Sequence, residues 1–312
     1  MASVSKNVAF IGATGTLGIH LLRALTSAGH TVTVIQRKES TTPPPPGVKS
    51  TKVDLTNFDE LLAVFKGHEV YLNATPYPSL STDKDIIDAA VAASVKRIIP
   101  SEFSTNLDSP LSRKLPHMKG KTEVREYLES VISKTSTSWT SINNGAFLEM
   151  SLKFGALGPN MAQKKAVFHD GGDKVVGAST LPDIGAALVK ILDPAHFEET
   201  ANKPIYMYSA AVSERMLTSL VSKVTGIDFG TVEDGRITNI SVDQAIEEGE
   251  RKIANGDKSG MLAYYYKMMY GDGYGGTDFK KLSWNNRLGL RIMTEKDIEA
   301  LIADIARELG IL

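Results

Sequence analysis

The chain has 312 residues, 42% of them hydrophobic and 23% charged, the balance of an ordinary globular protein with core enough for one large domain or two modest ones. A net charge of −1 gives no reason to expect a nucleic acid or an anionic membrane as partner. The lack of cysteine excludes disulfides, thiolate nucleophiles and cysteine–zinc sites, and no metal site is expected. Met1-Ala2-Ser3-Val4-Ser5-Lys6 has no apolar signal core and no apolar run could span a bilayer, so a cytoplasmic location is the expectation.

The first element is an apolar strand over Asn7-Val8-Ala9-Phe10-Ile11. Gly12-Ala13-Thr14-Gly15-Thr16-Leu17-Gly18 follows, and a helix begins at Ile19. Strand, glycine turn and helix in that order build a pyrophosphate site, because glycines let the backbone approach the phosphates and free helix N–H groups face the charge. Ala28-Gly29-His30 ends the helix, and Thr31–Gln36 is a β-branched second strand. The four prolines between Ser40 and Gly47 make an exposed, extended loop. Lys49–Val53 is a third strand, Thr56 or Asn57 can cap a helix to Lys66, and Val70–Ala74 is a fourth strand. Asp83–Ser94 is apolar at helical spacing, Arg97–Pro100 is a short strand, Lys119–Ser133 an amphipathic helix and Ser138–Asn143 a sixth strand.

This alternation predicts an α/β fold, a doubly wound parallel sheet with its ligand site beyond the C-terminal strand ends, near strands one and four. Residues 1–153 form the expected dinucleotide-binding domain. Residues 154–312 form a smaller, partly interleaved substrate region, with some segments returning to the first. There Ala166–Val175 reads as strand, turn and strand, with His169-Asp170-Gly171-Gly172-Asp173 as a hairpin turn rather than a metal or acid–base cluster. Helices are expected over Pro182–Leu192, Ser213–Thr225 and Thr294–Leu309. The Tyr-, Met- and Gly-rich segment 264–279 fits either a mobile pocket wall or a core helix with a plain loop.

Gln36-Arg37-Lys38 ends the second strand where a site for NAD would place an acidic residue on the ribose hydroxyls. Cationic Arg37 and Lys38 instead favour a 2′-phosphate, hence NADP(H). Asp54 and Leu55 are placed to border the adenine, and Asp54 can also cap the following helix.

The G-x-x-G-x-x-G spacing resembles the short-chain dehydrogenase superfamily in its extended and atypical branches. The usual proton-donating Tyr-x-x-x-Lys is missing, because no Tyr has Lys four residues on. Pro100-Ser101-Glu102-Phe103, Lys121-Thr122-Glu123-Val124-Arg125 and Ser141-Ile142-Asn143 together resemble the isoflavone reductase and phenylcoumaran benzylic ether reductase family, related to the NmrA-like group with its fungal sequences and cofactor-binding regulators. Ser104 stands where that family has glycine. The resemblance implies a Rossmann-type domain binding NADPH through Gly12, Thr14, Gly15, Thr16, Leu17, Gly18, Arg37, Lys38, Asp54, Leu55, Ala74, Thr75, Ser101, Glu102, Phe103, Lys121 and Asn143. It also implies Lys121 as the catalytic proton carrier, with Lys119 and His117 as rivals. Phe103, Phe147, Phe154 and Tyr264 are expected to meet a hydrophobic, aromatic small molecule. The alternative is a regulator that binds NADP without turning it over and acts through a protein partner. The sequence leaves the oligomeric state open.

Overall fold

The computed structural model describes residues 5–312, so the Met1–Val4 part of the N-terminal reading lies outside it. The chain divides into two compact units. The first runs to Phe103 and takes in Met118–Asn143 and Leu181–Ile205; the second comprises Ser104–His117, Asn144–Thr180 and Tyr206–Leu312.

In chain order the first unit opens with β1 (Asn7–Ile11), α1 (Gly18–Ser27), β2 (Thr31–Arg37), β3 (Lys49–Val53), α2 (Phe58–Phe65), β4 (Val70–Asn73), α3 (Leu80–Ala92) and β5 (Arg97–Ile99). The short α4 (Pro110–Arg113) belongs to the second unit, and α5 (Lys119–Ile132) and β6 (Ser138–Asn143) return to the first. β1 is the hub: Phe10 lies opposite Val34 of β2 on one side and Leu72 of β4 on the other, both pairings parallel. β3 pairs parallel with β2, β5 with β4, and β6 with β5. β1 and β4 are buried throughout their apolar residues, as strands covered on both faces must be. Helices α2, α3 and α5 close one face, with Leu61, Phe65, Ile86, Ile87, Val124 and Leu128 in its core. This is the expected Rossmann-type doubly wound sheet, and strand order reverses between β1 and β4.

Several local expectations shift. α2 is capped by Asn57, whose side chain accepts the Glu60 N–H; Asp54 instead accepts from Thr56 and caps nothing. α3 starts at Leu80, ahead of Asp83, because Asp83 is buried in a bond network that closes the first turn.

The second unit continues with β7 (Ala146–Phe147), α6 (Leu148–Phe154), β8 (Pro159–Asn160), β9 (Lys165–His169) and β10 (Val176–Ser179). The chain then crosses back to the first unit for α7 (Leu181–Leu192), α8 (Pro194–Phe197) and β11 (Lys203–Tyr206), the seventh strand of the large sheet, beside β6. α7 packs along α1, where Gly185 gives the space: a Cβ there would lie 2.8 Å from that of Ala24. β12 (Ala210–Val212), α9 (Glu214–Thr225), β13 (Ile237–Ile240), α10 (Val242–Ala254), α11 (Leu262–Tyr270), α12 (Phe279–Leu282), α13 (Asn285–Leu288) and α14 (Glu295–Glu308) complete the second unit. Its strands form two three-stranded sheets, β12-β10-β7 and β13-β9-β8.

The hairpin expected around Asp170 is therefore not one. β9 and β10 lie in different sheets, and Asp170, Gly171 and Gly172 all take positive φ, carrying the chain from one sheet to the other. In segment 264–279, Met268, Met269 and Tyr270 of α11 are buried, and the loop after it is pinned where Ser109 and Ser112 donate to the carbonyls of Gly273 and Tyr274.

Candidate cofactor site and the Lys121 cluster

The three glycines of the β1–α1 turn do three different things. Gly12 takes φ +91°, and a Cβ there would fall 2.7 Å from the Ala74 carbonyl carbon at the end of β4. Gly18 lets α1 sit against the turn, since a Cβ there would meet the Gly12 carbonyl oxygen at 2.0 Å. Gly15 is exposed, and the nearest atom to its would-be Cβ is the Gly12 oxygen at 3.4 Å. Open space above the middle glycine, with tight contacts at the outer two, is the arrangement a pyrophosphate needs. No side chain caps the N-terminus of α1. Thr14 and Thr16 are exposed beside Gly15, and Leu17 and Gly18 lead into the helix. The turn fits a dinucleotide.

The cations after β2 differ from each other. Lys38 is held 2.6 Å from Glu60, and this pair raises the ammonium's pKa and lowers the carboxyl's. Glu60 also accepts from the Asp54 backbone N–H. Arg37 is exposed and has no ion pair among the described residues. Asp54 is kept acidic by its two bonds from Thr56, while Leu55 packs partly into the core.

A run of contacts ties the strand ends together. Asn73 accepts the Thr75 N–H and donates to Asp83, which burial makes a weaker acid than usual. Ser101 donates to the Thr75 carbonyl at 2.6 Å, joining the ends of β5 and β4. Glu102 and Phe103 complete the turn after β5, with Phe103 buried and at φ +33°, a strained value for a side-chain-bearing residue. α5 docks on this turn. Gly120 lets the same helix approach the chain just before α3, because a Cβ there would lie 2.1 Å from the Pro78 oxygen.

Lys121, one position on, donates from Nζ to the Glu102 carbonyl. Burial of its ammonium lowers the pKa from 10.5 to about 8, against the opposing pull of the Glu102 carboxylate. One turn further, Arg125 grips that carboxylate with Nε and Nη2, each at 2.5 Å, and Nη2 also donates to Ser141 of β6. Asn143, at the end of β6, donates to Ser141; its Oδ1 is buried with no hydrogen-bond partner among the described residues. A buried acceptor left open is costly and points to a donor supplied by a ligand.

The rivals to Lys121 are placed differently. Lys119 is 77% exposed and pairs with Glu123. Tyr127, not among those rivals, donates to Asp88 of α3 at 2.5 Å. His117 belongs to the second unit and packs its ring 4.2 Å from that of Tyr265. Every residue expected at the cofactor, from Gly12 to Asn143, falls in the first unit. Phe147, Phe154 and Tyr264 fall in the second: Phe147 half-buried, Phe154 68% exposed, and the Tyr264 hydroxyl bonded to Glu250. Arg125, Asn73, Asp83 and Gly120 were not foreseen as part of the site. Lys121 and Arg125 stand four apart on a helix, and that spacing was the available signal.

A dinucleotide-type turn on a doubly wound sheet, with a half-buried lysine at the strand ends, defines a Rossmann-class protein. The chain belongs to the NmrA-like family, which it matches over residues 4–254. It is 32% identical to the oxidoreductase aprR of Aspergillus flavus over 72% of this chain and 75% of that one. Its fold is similar to a solved isoflavone reductase (TM-score 0.73, 19% identity, 94% of this chain and 98% of that one). It is also similar to AtPrR2, solved with NADP+ and (+)-pinoresinol (TM-score 0.75, 18% identity, 97% and 99%).

Proposed function

We propose that this chain is an NADPH-dependent reductase of a hydrophobic, aromatic small molecule, with Lys121 carrying the proton. The oxidoreductase class and NADP(H) rest on the chain's family relatives, which include named oxidoreductases, and on a structure solved with NADP+ that shares its fold. Bound NADPH supplies the hydride. The chain's own groups do the rest. The Gly12–Gly18 turn and the N-terminus of α1 would hold the pyrophosphate, and Gly15 leaves room for it. Arg37, with no ion pair among the described residues, would take the 2′-phosphate, while Lys38 stays on Glu60. Asn143 Oδ1 would accept a donor from the cofactor.

The observation that carries the reading is Lys121, whose ammonium is acidified to about 8 at the β5 exit. An amine of that acidity can give up a proton near neutral pH and regain it from solvent. It would protonate the atom next to the carbon that is reduced. An aromatic substrate is supported by the likeness to proteins that reduce, or are solved with, aromatic molecules. The test is a screen of NADPH consumption with aromatic enones, imines and benzylic ethers, followed by Lys121→Ala on any acceptor found. Turnover should fall about 100-fold or more with NADPH affinity unchanged, and Lys119→Ala should have little effect. Full turnover in Lys121→Ala would remove Lys121 from the reaction. Tight NADPH binding with no acceptor reduced would favour a cofactor-sensing role instead.

A further inference from the structure

Two cations of α5 hold one residue by its two ends. Lys121 donates to the main-chain carbonyl of Glu102, and Arg125 takes both oxygens of its carboxylate. The pair is sealed: the side chains of Arg125 and Glu102 are 1% and 2% exposed. The guanidinium is further fixed by Ser141 and lies 3.8 Å above the Trp139 ring. Such a pair is an inefficient way to gain stability, since taking both charges out of water costs about as much as their attraction returns. Its placement suggests another use.

Glu102 is the carboxylate that acts on Lys121. The other charged groups on α5 and on α3, which packs against it, include Glu126 and Asp85. Lys84 and Asp88 of α3 bond each other and surround Tyr127, Asp83 is tied to Asn73, Ser79 and Thr82, Lys119 pairs with Glu123, and Glu129 lies 3.4 Å from Arg125. A bare carboxylate at Glu102 would hold the amine protonated, and an ungripped one would let the strained turn at Phe103 relax and carry the carbonyl away. Building on the reading of Lys121 as proton carrier, we propose that Arg125 is a positioning residue for Lys121, acting through Glu102: it fixes the carbonyl that the amine donates to and offsets part of the carboxylate charge beside it.

The test needs neither substrate nor cofactor. The proton affinity of Lys121 is read as the pH midpoint of its acetylation by trace acetic anhydride, quantified by mass spectrometry of the Lys121 peptide. Wild type should have its midpoint near 8. Arg125→Met takes the guanidinium away from the carboxylate and should raise the midpoint by about one pH unit or more, a tenfold change in proton affinity. Glu102→Gln removes the buried carboxylate, leaves the guanidinium with Glu129 alone among the carboxylates named, and should lower it. The double variant Glu102→Gln/Arg125→Met removes both charges and should bring the midpoint back toward wild type; it also serves if Arg125→Met alone does not fold. Shifts of opposite sign in the two single variants are what a merely structural pair would not give. A low wild-type midpoint that neither single variant moves, or that both move the same way, overturns the role of Arg125 while leaving Lys121 in place. A wild-type midpoint at lysine's ordinary value overturns the reading of Lys121 itself.

Discussion

The two units are held together by different kinds of information. In the first, local pattern does most of the work: β-branched runs make the strands, apolar residues at helical spacing make the helices, and three glycines shape the turn between β1 and α1. In the second, short strands are fixed by bonds between residues far apart in the chain. His169 and Glu214, both buried, meet at 2.7 Å, and the same carboxylate accepts the His169 N–H. Asn285 exchanges bonds with the main chain of Tyr208, and the Tyr206 hydroxyl reaches Asn106 and Asp108. The first unit can therefore lose ligand binding without losing its fold, whereas the second adds these polar anchors to an apolar core that includes Leu148, Leu217 and Ile302.

The largest expected effect probes the first half of that contrast. Gly15→Val places a branched side chain in the open space above the turn, at a backbone conformation it tolerates. NADPH affinity should fall more than about 100-fold by fluorescence titration while far-UV circular dichroism stays native, because the loss is of room for the pyrophosphate. Retained binding would place the phosphates elsewhere. Next comes the second half. Glu214→Ala removes the acceptor of two buried His169 donors and should cost about 3 kcal/mol in urea unfolding. A cost below about 0.5 kcal/mol, the level of an ordinary surface change, would mean the anchor is not one. A smaller, graded effect comes from pH. If the Lys121 ammonium is the proton donor, kcat/KM for reduction should fall as pH rises through about 8, by about tenfold per unit, because the donor is then lost. Lys121→Arg, which keeps its charge, should abolish that limb.

The same contrast explains what the sequence made legible. The order β1-α1-β2-β3-α2-β4-α3-β5 and the glycine turn could be read because each element's signal is carried by its own residues. Lys121 could be placed through its register with Val124 and Arg125, but the burial that acidifies it could not, since it arises only when α5 docks on the β5 exit, where the Glu102 carboxylate pulls the other way. The close approach of α5 to the chain before α3 was equally hidden, since Gly120 admits it and its neighbour Pro78 lies 42 residues back in sequence. The turn at Asp170 failed for a similar reason. Asp-Gly-Gly favours reversal locally, yet the partners of β9 are β8 and β13, and only tertiary pairing decides between a hairpin and a crossing. Arg37 and Lys38 looked equivalent until Glu60, well along the chain, proved to claim one of them.

That last difference supports the most direct measurement. NADPH and NADH should be titrated against wild type, Arg37→Ala and Lys38→Ala by nicotinamide fluorescence at fixed ionic strength. Arg37 is the cation with no ion pair among the described residues, and a charge-assisted phosphate contact is worth about 1.5–3 kcal/mol. NADPH should therefore bind wild type about 10- to 150-fold tighter than NADH; Arg37→Ala should erase most of that margin by weakening NADPH alone, and Lys38→Ala should leave it nearly intact. Equal affinities for the two cofactors in wild type would contradict the account at its base.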